Sequence, residues 1–232
     1  MNSTRSRIGD PSAAFTLIQL LALILILGVL LFLAWPTIKN GLAKREMSRT
    51  MTNARELYLA SFHMATDGAA KSDANLAWPG DLPAATLADY CGKLVQNNYL
   101  KADDLQKILS APGATCTVTS TAGSPAAVTL TGKSALKLYK VKNGDASTAI
   151  FSASSNYFYN TPLSHASEPF GDKGFVVIRK RGDAGVYGKN QATVSDWGND
   201  AAEFQSKIGK LAGAAAGAVP SGDGATALAG PE

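Results

Sequence analysis

The sequence has few of the residues from which catalytic and metal sites are built. Its 232 residues include two histidines, His63 and His165, and two cysteines, Cys91 and Cys116. It contains no H-E-x-x-H, G-x-S-x-G, P-loop or dinucleotide-binding glycine motif, and the cysteines form no C-x-x-C or zinc spacing. This inventory argues against a hydrolase or a nucleotide-using enzyme, and we expect a protein that is not an enzyme.

What the sequence does have is one long apolar run at 15–35, with no charged residue and one conspicuous polar residue, Gln19. As a helix this run would be about 30 Å long, which matches the apolar thickness of a bilayer. A polar leader at 1–14 precedes it and carries Arg5 and Arg7. Because a positive leader stays on the cytoplasmic side, the chain beyond the run is expected to be exported.

The leader ends in small residues, so a peptidase can cut directly before the apolar run. The stretch Ala14-Phe-Thr-Leu-Ile-Gln-Leu resembles the processing site of type IV pilins and type II secretion pseudopilins, whose usual form is Gly followed by Phe-Thr-Leu-Ile-Glu. Gly28 and Pro36 stand where that family commonly has Gly and Pro. The resemblance implies cleavage between Ala14 and Phe15, methylation of the new N-terminus, and assembly contacts at Gln19, Gly28 and Pro36.

Two residues depart from the family pattern. Ala14 replaces the preferred Gly before the cut, and Gln19 replaces the usual Glu. In the family, that Glu is taken to neutralise the N-terminal amine of a neighbouring subunit inside the apolar filament core, where an unpaired charge is costly. Gln can accept a hydrogen bond from the amine but cannot cancel its charge. The departure implies a minor or tip pseudopilin.

The resemblance also implies a location and a set of partners. The subunit would cross the bacterial inner membrane once, with its head in the periplasm, and would later join a type II secretion pseudopilus or a type IV pilus-like filament. Its partners would be other pilin or pseudopilin subunits, the prepilin peptidase, the inner-membrane assembly platform and membrane lipid. An uncleaved, signal-anchored periplasmic binding or scaffold protein is the alternative, and a DNA-uptake pilin is a third class.

An α+β fold is predicted, in which a long N-terminal transmembrane and spine helix packs on a mainly antiparallel β-sheet head, as in pilins. The predicted divisions are a leader at 1–14, a helix at 15–66 with its transmembrane part at 15–35, a globular head at 67–212, and a disordered Ala- and Gly-rich tail at 213–232.

The long helix is expected to continue through Pro36 with a kink or a local loosening. Asp67-Gly68 is predicted to stop it, with glycine at the C-cap. Between these points, apolar residues recur every three to five positions and predict one buried face: Leu42, Met47, Met51, Ala54, Tyr58, Phe62 and Ala65.

Basic residues crowd the same part of the helix: Lys39, Lys44, Arg45, Arg49 and Arg55. They can face anionic lipid head groups, acidic neighbours along a filament, or only solvent. The net charge is +4. No aromatic residues are interleaved with the basic ones in the manner of nucleic-acid-binding modules, so no nucleic-acid partner is expected.

The head is predicted to hold two short helices, at 86–97 with Thr86 as the N-cap and at 102–109. Strand-like alternation follows at 115–119, 127–131, 136–142, 149–154 and 174–180. Asn143-Gly144 is predicted to form a tight hairpin turn. Together these segments predict a four- or five-stranded sheet and a short C-terminal helix at 200–211.

Three local hypotheses concern possible sites in the head. Asp183, Asp196 and Asn199 lie in Gly-rich turns and can supply oxygens to Ca²⁺, or can cap their own backbone instead. Cys91 and Cys116 can form one disulfide in an exported domain, or can be two buried thiols. The third is the aromatic run at 157–159, which can form a partner surface or pack into the core.

Overall fold

A computed structural model describes residues 17–121, 127–215 and 217–231, without the side chains of 34–40. The chain divides into two compact units, Met1–Leu42 and Ala43–Glu232. Within these ranges the α-helices are α1 (Leu17–Lys71), α2 (Leu87–Gln96), α3 (Ala102–Ile108) and α4 (Ala201–Lys207). The strands in the same ranges are β1 (Cys116–Thr121), β2 (Ala127–Gly132), β3 (Leu136–Leu138), β4 (Ile150–Ser154), β5 (Phe175–Arg179) and β6 (Ala184–Tyr187).

Helix α1 continues through Pro36 and ends later than predicted. Ser72 follows it in the left-handed conformation, with φ 55°, and the Asp73 backbone N–H donates to the Gly68 carbonyl at 2.9 Å. This is the bond that closes a Schellman motif. The predicted stop at Asp67-Gly68 is therefore wrong. Gly68 lies inside the helix, and its glycine is explained by packing, because a Cβ atom there would stand 1.7 Å from the Leu76 carbonyl oxygen.

Local signals place the two short helices correctly. Thr86 is the N-cap of α2, and its hydroxyl accepts from the Asp89 backbone N–H at 3.0 Å while the Asp89 carboxylate accepts from the Thr86 N–H at 2.9 Å. This reciprocal capping box satisfies two backbone donors that the first turn leaves open. Helix α3 carries Asp103 and Asp104 in its first turn, where the helix dipole favours negative charge.

The fold is α+β with antiparallel sheets. Strands β3, β4, β5 and β6 form a four-stranded sheet in that order, and β1 and β2 form a separate hairpin. All residues of β5 are buried, which confirms its predicted central position. Strand β6 was not predicted. The predicted turn at Asn143-Gly144 forms, with the Asp145 N–H donating to the Lys142 carbonyl at 3.1 Å, but neither residue has a positive φ. It lies in a longer connection than a tight hairpin, because β3 ends at Leu138 and β4 begins only at Ile150.

One face of the sheet packs against the part of α1 that belongs to the second unit. Ala54, Leu57 and Met64 of α1 are in one buried cluster with Leu138 of β3 and Phe151 of β4. The predicted apolar face is partly right. Met47, Ala54 and Tyr58 are buried, whereas Leu42 and Phe62 are exposed.

The other face of the sheet is covered by a second cluster from the C-terminal half of the chain. Phe175 and Val177 of β5 pack there with Phe204 of α4 and with Tyr157 and Tyr159. Tyr157 stacks on Phe175, with ring centroids 3.9 Å apart. The four-stranded sheet is therefore buried on both faces.

The tail that was predicted to be disordered is packed against the head. The Leu228 backbone N–H donates to the Leu138 carbonyl at 2.8 Å, and the Lys140 N–H donates to the Thr226 carbonyl at 2.7 Å. Leu228 is buried in the first cluster. The prediction is wrong because a few residues within the Ala- and Gly-rich composition supply the contacts that close the β3 edge of the sheet. We call residues 217–231 the C-terminal segment.

Candidate assembly surface

The most unusual surface of the chain is the first part of α1, residues 17–33, which we call the apolar segment. It contains no charged residue, and all of its residues are exposed. Leu17 and Phe32 expose 82% and 80% of their surface. Folded soluble proteins rarely leave so large an apolar surface uncovered, so it points to a partner or a lipid phase. No helix within the described ranges combines the length and apolar character needed to cross a membrane.

Two of the predicted assembly residues lie in the apolar segment. Gln19 is exposed near its start. Gly28 has no atom within 4 Å of the position that a Cβ would take. The packing of this chain therefore gives no reason for a glycine there, and the space beside it is open to a neighbouring helix. The processing residues Ala14 and Phe15 lie outside the described residues, as does the side chain of Pro36.

The basic residues of α1 whose side chains are described are exposed in the second unit. They are Lys44, Arg45, Arg49 and Arg55. None of them belongs to an ion pair within the described parts of the chain. Their exposure is compatible with each of the environments expected from the sequence, which are anionic lipid head groups, acidic neighbours along a filament, and solvent.

The two carboxylates predicted to bind calcium, Asp183 and Asp196, each have partners within the chain. Asp183 forms ion pairs with Arg179 and Arg181, the latter at 2.6 Å from Arg181 Nε to Asp183 Oδ1. Burial opposes ionisation of Asp183, but the Arg181 hydrogen bond and the charges of both guanidinium groups outweigh it, so the pKa of Asp183 is lowered. Two cations thus already neutralise this carboxylate, and calcium binding at Asp183 stays a prediction that these ion pairs oppose.

The other two predicted ligands, Asp196 and Asn199, have structural roles in the turn where they lie. The Asp196 carboxylate accepts from the Thr193 N–H and from the Thr193 hydroxyl, both at 2.8 Å. Asn199 has φ 63°, the left-handed conformation that asparagine tolerates in turns. No group of three or more metal-binding side chains of the His, Cys, Asp or Glu type occurs among the residues that the structure covers.

Cys91 and Cys116 are free thiols, which corrects the predicted disulfide. Both are buried in the first core cluster. Burial raises the pKa of both thiols, and the neighbouring Cys116 raises that of Cys91 further. A thiol that stays protonated in an apolar core is a poor nucleophile, so the two cysteines act as small apolar core residues.

The aromatic run at 157–159 belongs mainly to the core. Tyr157 and Tyr159 are fully buried, and their hydroxyl groups donate to the carbonyls of Ala192 at 3.2 Å and of Gly209 at 3.0 Å. Phe158 is half exposed, and the Lys137 ammonium lies 4.1 Å from the centre of its ring. Of the three aromatic residues predicted as a possible partner surface, Phe158 alone is exposed.

A polar cluster that was not predicted from the sequence surrounds Asp223. This residue is 8% exposed, and its carboxylate accepts from Lys137, Tyr139 and the backbone N–H of Tyr159. It fixes the C-terminal segment to β3 and to the connection after β4. The only sequence signal was an isolated acidic residue between two glycines in an otherwise uncharged stretch.

Comparison of the chain with models of protein families, with curated proteins and with solved structures gives no match.

Proposed function

We propose that the chain is a non-enzymatic, pilin-like subunit, a minor pseudopilin that assembles into a type II secretion pseudopilus or a type IV pilus-like filament. The observation that carries this proposal is the apolar segment, which exposes large apolar side chains around the helix. Leaving a Leu or Ile side chain in water costs about 1.5–3 kcal/mol relative to burying it. Lipid or other subunits therefore have to cover this surface.

The two parts of α1 have different roles in this proposal. The residues of the apolar segment are exposed, whereas the later part of α1 supplies Ala54, Leu57 and Met64 to the core of the head. Such a helix holds the head with one part and offers the other part to neighbours. The packed α+β head provides no grouping of metal-binding residues, within the ranges the structure covers, that points to a different role.

In the proposed route, the subunit is inserted in the inner membrane with its head in the periplasm. A prepilin peptidase then cuts between Ala14 and Phe15, Phe15 is methylated, and the assembly platform moves the subunit into the filament. The membrane step rests on the sequence run 15–35, which extends beyond the apolar segment at both ends. Because lipid is as apolar as leucine, close helix packing has to drive assembly, and small residues such as Gly28 allow it.

Gln19 gives the proposal its first test. A carboxylate at this position would neutralise the N-terminal amine of a neighbouring subunit, which an amide cannot do. We expect Gln19→Glu to raise the abundance of the subunit in sheared filaments relative to its total amount in the cell. Gln19→Leu is the matched control, because it removes the amide without adding a charge, and we expect no rise. If Gln19→Glu has the same abundance as Gln19→Leu, position 19 does not govern assembly as proposed.

Gly28 gives a second test that separates assembly from folding. Among the described residues, no atom beyond the adjacent helix backbone lies within 4 Å of the site of its missing side chain, so Gly28→Leu should leave the thermal unfolding of the head unchanged. In a filament the same side chain would meet a neighbouring helix, and we expect lower incorporation. Equal incorporation of Gly28→Leu and the wild type would contradict an assembly contact at Gly28, and absence of both from filaments would favour a signal-anchored scaffold that never polymerises.

A further inference from the structure

Lys137 and Asp223 form a buried ion pair between β3 and the C-terminal segment. Lys137 Nζ lies 2.5 Å from Asp223 Oδ2, and the two side chains are 13% and 9% exposed. The other carboxyl oxygen, Oδ1, accepts from the Tyr139 hydroxyl at 2.7 Å and from the Tyr159 backbone N–H at 3.0 Å. The two oxygens of this carboxyl group therefore have different chemical environments.

The pair lies in a largely buried site. Tyr139 and Tyr159 are fully buried, whereas the half-exposed ring of Phe158 lies under the Lys137 ammonium and favours its charge. Burial lowers the pKa of Lys137, although the charge of Asp223 and its hydrogen bond act in the opposite direction. Transfer of one proton from Nζ to Oδ2 across this contact would give a neutral amine beside a carboxylic acid. A neutral amine is a nucleophile, and the carboxyl carbon is bonded to the oxygen that Nζ contacts.

We propose that Lys137 and Asp223 condense into an intramolecular isopeptide bond. The Nζ lone pair attacks the Asp223 Cγ, and the negative charge develops on Oδ1, where the Tyr139 hydroxyl and the Tyr159 N–H already donate. A proton from Nζ then passes to Oδ2, the bond between Cγ and Oδ2 breaks, and one water molecule leaves. The three protons of the ammonium group end as two on water and one on the amide, and no oxidant or cofactor is consumed.

The bond would give the C-terminal segment a structural role that goes beyond the proposed function. It would join β3 to a position 86 residues further along the chain and would close the β3 edge of the sheet covalently. Heat or pulling force could then no longer detach the segment while the rest of the head stays folded.

Mass spectrometry of the full chain, purified in detergent, tests the proposal. The expected mass is that of the sequence with the observed N-terminus, less one water molecule. Trypsin should fail to cut after Lys137 and should release the peptides 134–140 and 211–232 as one joined species. An unmodified mass with two separate peptides would show an ordinary ion pair and would overturn the proposal.

Variants assign the bond to this pair. Lys137→Arg should restore the unmodified mass, whereas Asp223→Asn should still link, with loss of ammonia in place of water. The matched control is Lys133→Arg, which alters the exposed pair of Lys133 and Glu168, 2.7 Å apart, and should leave the linkage intact. Tyr139→Phe should slow linkage about 100-fold, because one donor to the developing oxyanion is lost. Linkage that persists in Lys137→Arg would contradict the assignment.

Discussion

Substituting Gly68 by Ala tests how α1 is packed near its C-terminal end. A Cβ atom at this position would lie 1.7 Å from the Leu76 carbonyl oxygen and 2.8 Å from the Leu76 Cβ. The nearest atom belongs to the backbone, so a rotamer change cannot relieve the overlap and the segment after α1 has to move. Overpacking of this kind destabilises the fold by about 1–3 kcal/mol or more, and the better helix propensity of alanine offsets about 1 kcal/mol of this loss. We expect a net loss of about 2 kcal/mol in the free energy of unfolding.

The control is Gly92→Ala in α2, another buried glycine within a helix. Its Cβ would meet Val128 at 3.8 Å and Gln96 at 4.0 Å, which are ordinary contacts. We expect Gly92→Ala to stabilise the head by about 0.5–1 kcal/mol. Thermal unfolding followed by circular dichroism should show Gly68→Ala melting about 4–8 °C below the wild type and Gly92→Ala above it. If Gly68→Ala is as stable as Gly92→Ala, the close approach of Leu76 is refuted and Gly68 is only a poor helix former.

Three further predictions concern the head. Ser72→Gly should raise the free energy of unfolding by about 0.5–1 kcal/mol, because Ser72 holds a positive φ that glycine adopts without strain; an unchanged urea midpoint would contradict this. Asp183 has a lowered folded-state pKa, so its contribution to the free energy of unfolding is complete above its ordinary pKa of 3.8 and is lost as the pH falls through the lower folded value. Asp183→Asn should lower the free energy of unfolding by about 1.5 kcal/mol or more at pH 7, and the remaining loss of stability on acidification should be smaller than in the wild type. Cys91 and Cys116 should resist alkylation in the folded chain and react after unfolding, and rapid labelling in the native state would show that they are not buried.

The correctly predicted features depend on residues that lie close together in the sequence. The capping box of α2 requires only Thr86 and Asp89, three positions apart, and both the helix and its N-cap are confirmed. The buried strand β5 was likewise predicted from a continuous apolar run. In these segments the local pattern and the tertiary contacts favour the same structure.

The wrong predictions involve residues whose role depends on distant partners. Gly68 has the same helix-ending signal whether or not Leu76 approaches it, and only the fold reveals that approach. For Asp183, calcium binding stays a prediction, but its ion pairs with Arg179 and Arg181 were not foreseen from the sequence. The C-terminal segment has a disordered composition, yet Asp223 finds Lys137 across 86 positions. Composition describes the average of a segment, whereas a single buried polar contact can fix its structure.

The central proposal is that the chain is processed on the cytoplasmic side of its apolar run and then polymerises through it. The most direct test is the mass of the N-terminal peptide of the protein extracted from host membranes and from sheared filaments. The proposal predicts a chain that begins at Phe15, carries one methyl group on its amine, and is present in both fractions. A chain that retains residues 1–14 and never accompanies a filament would contradict it.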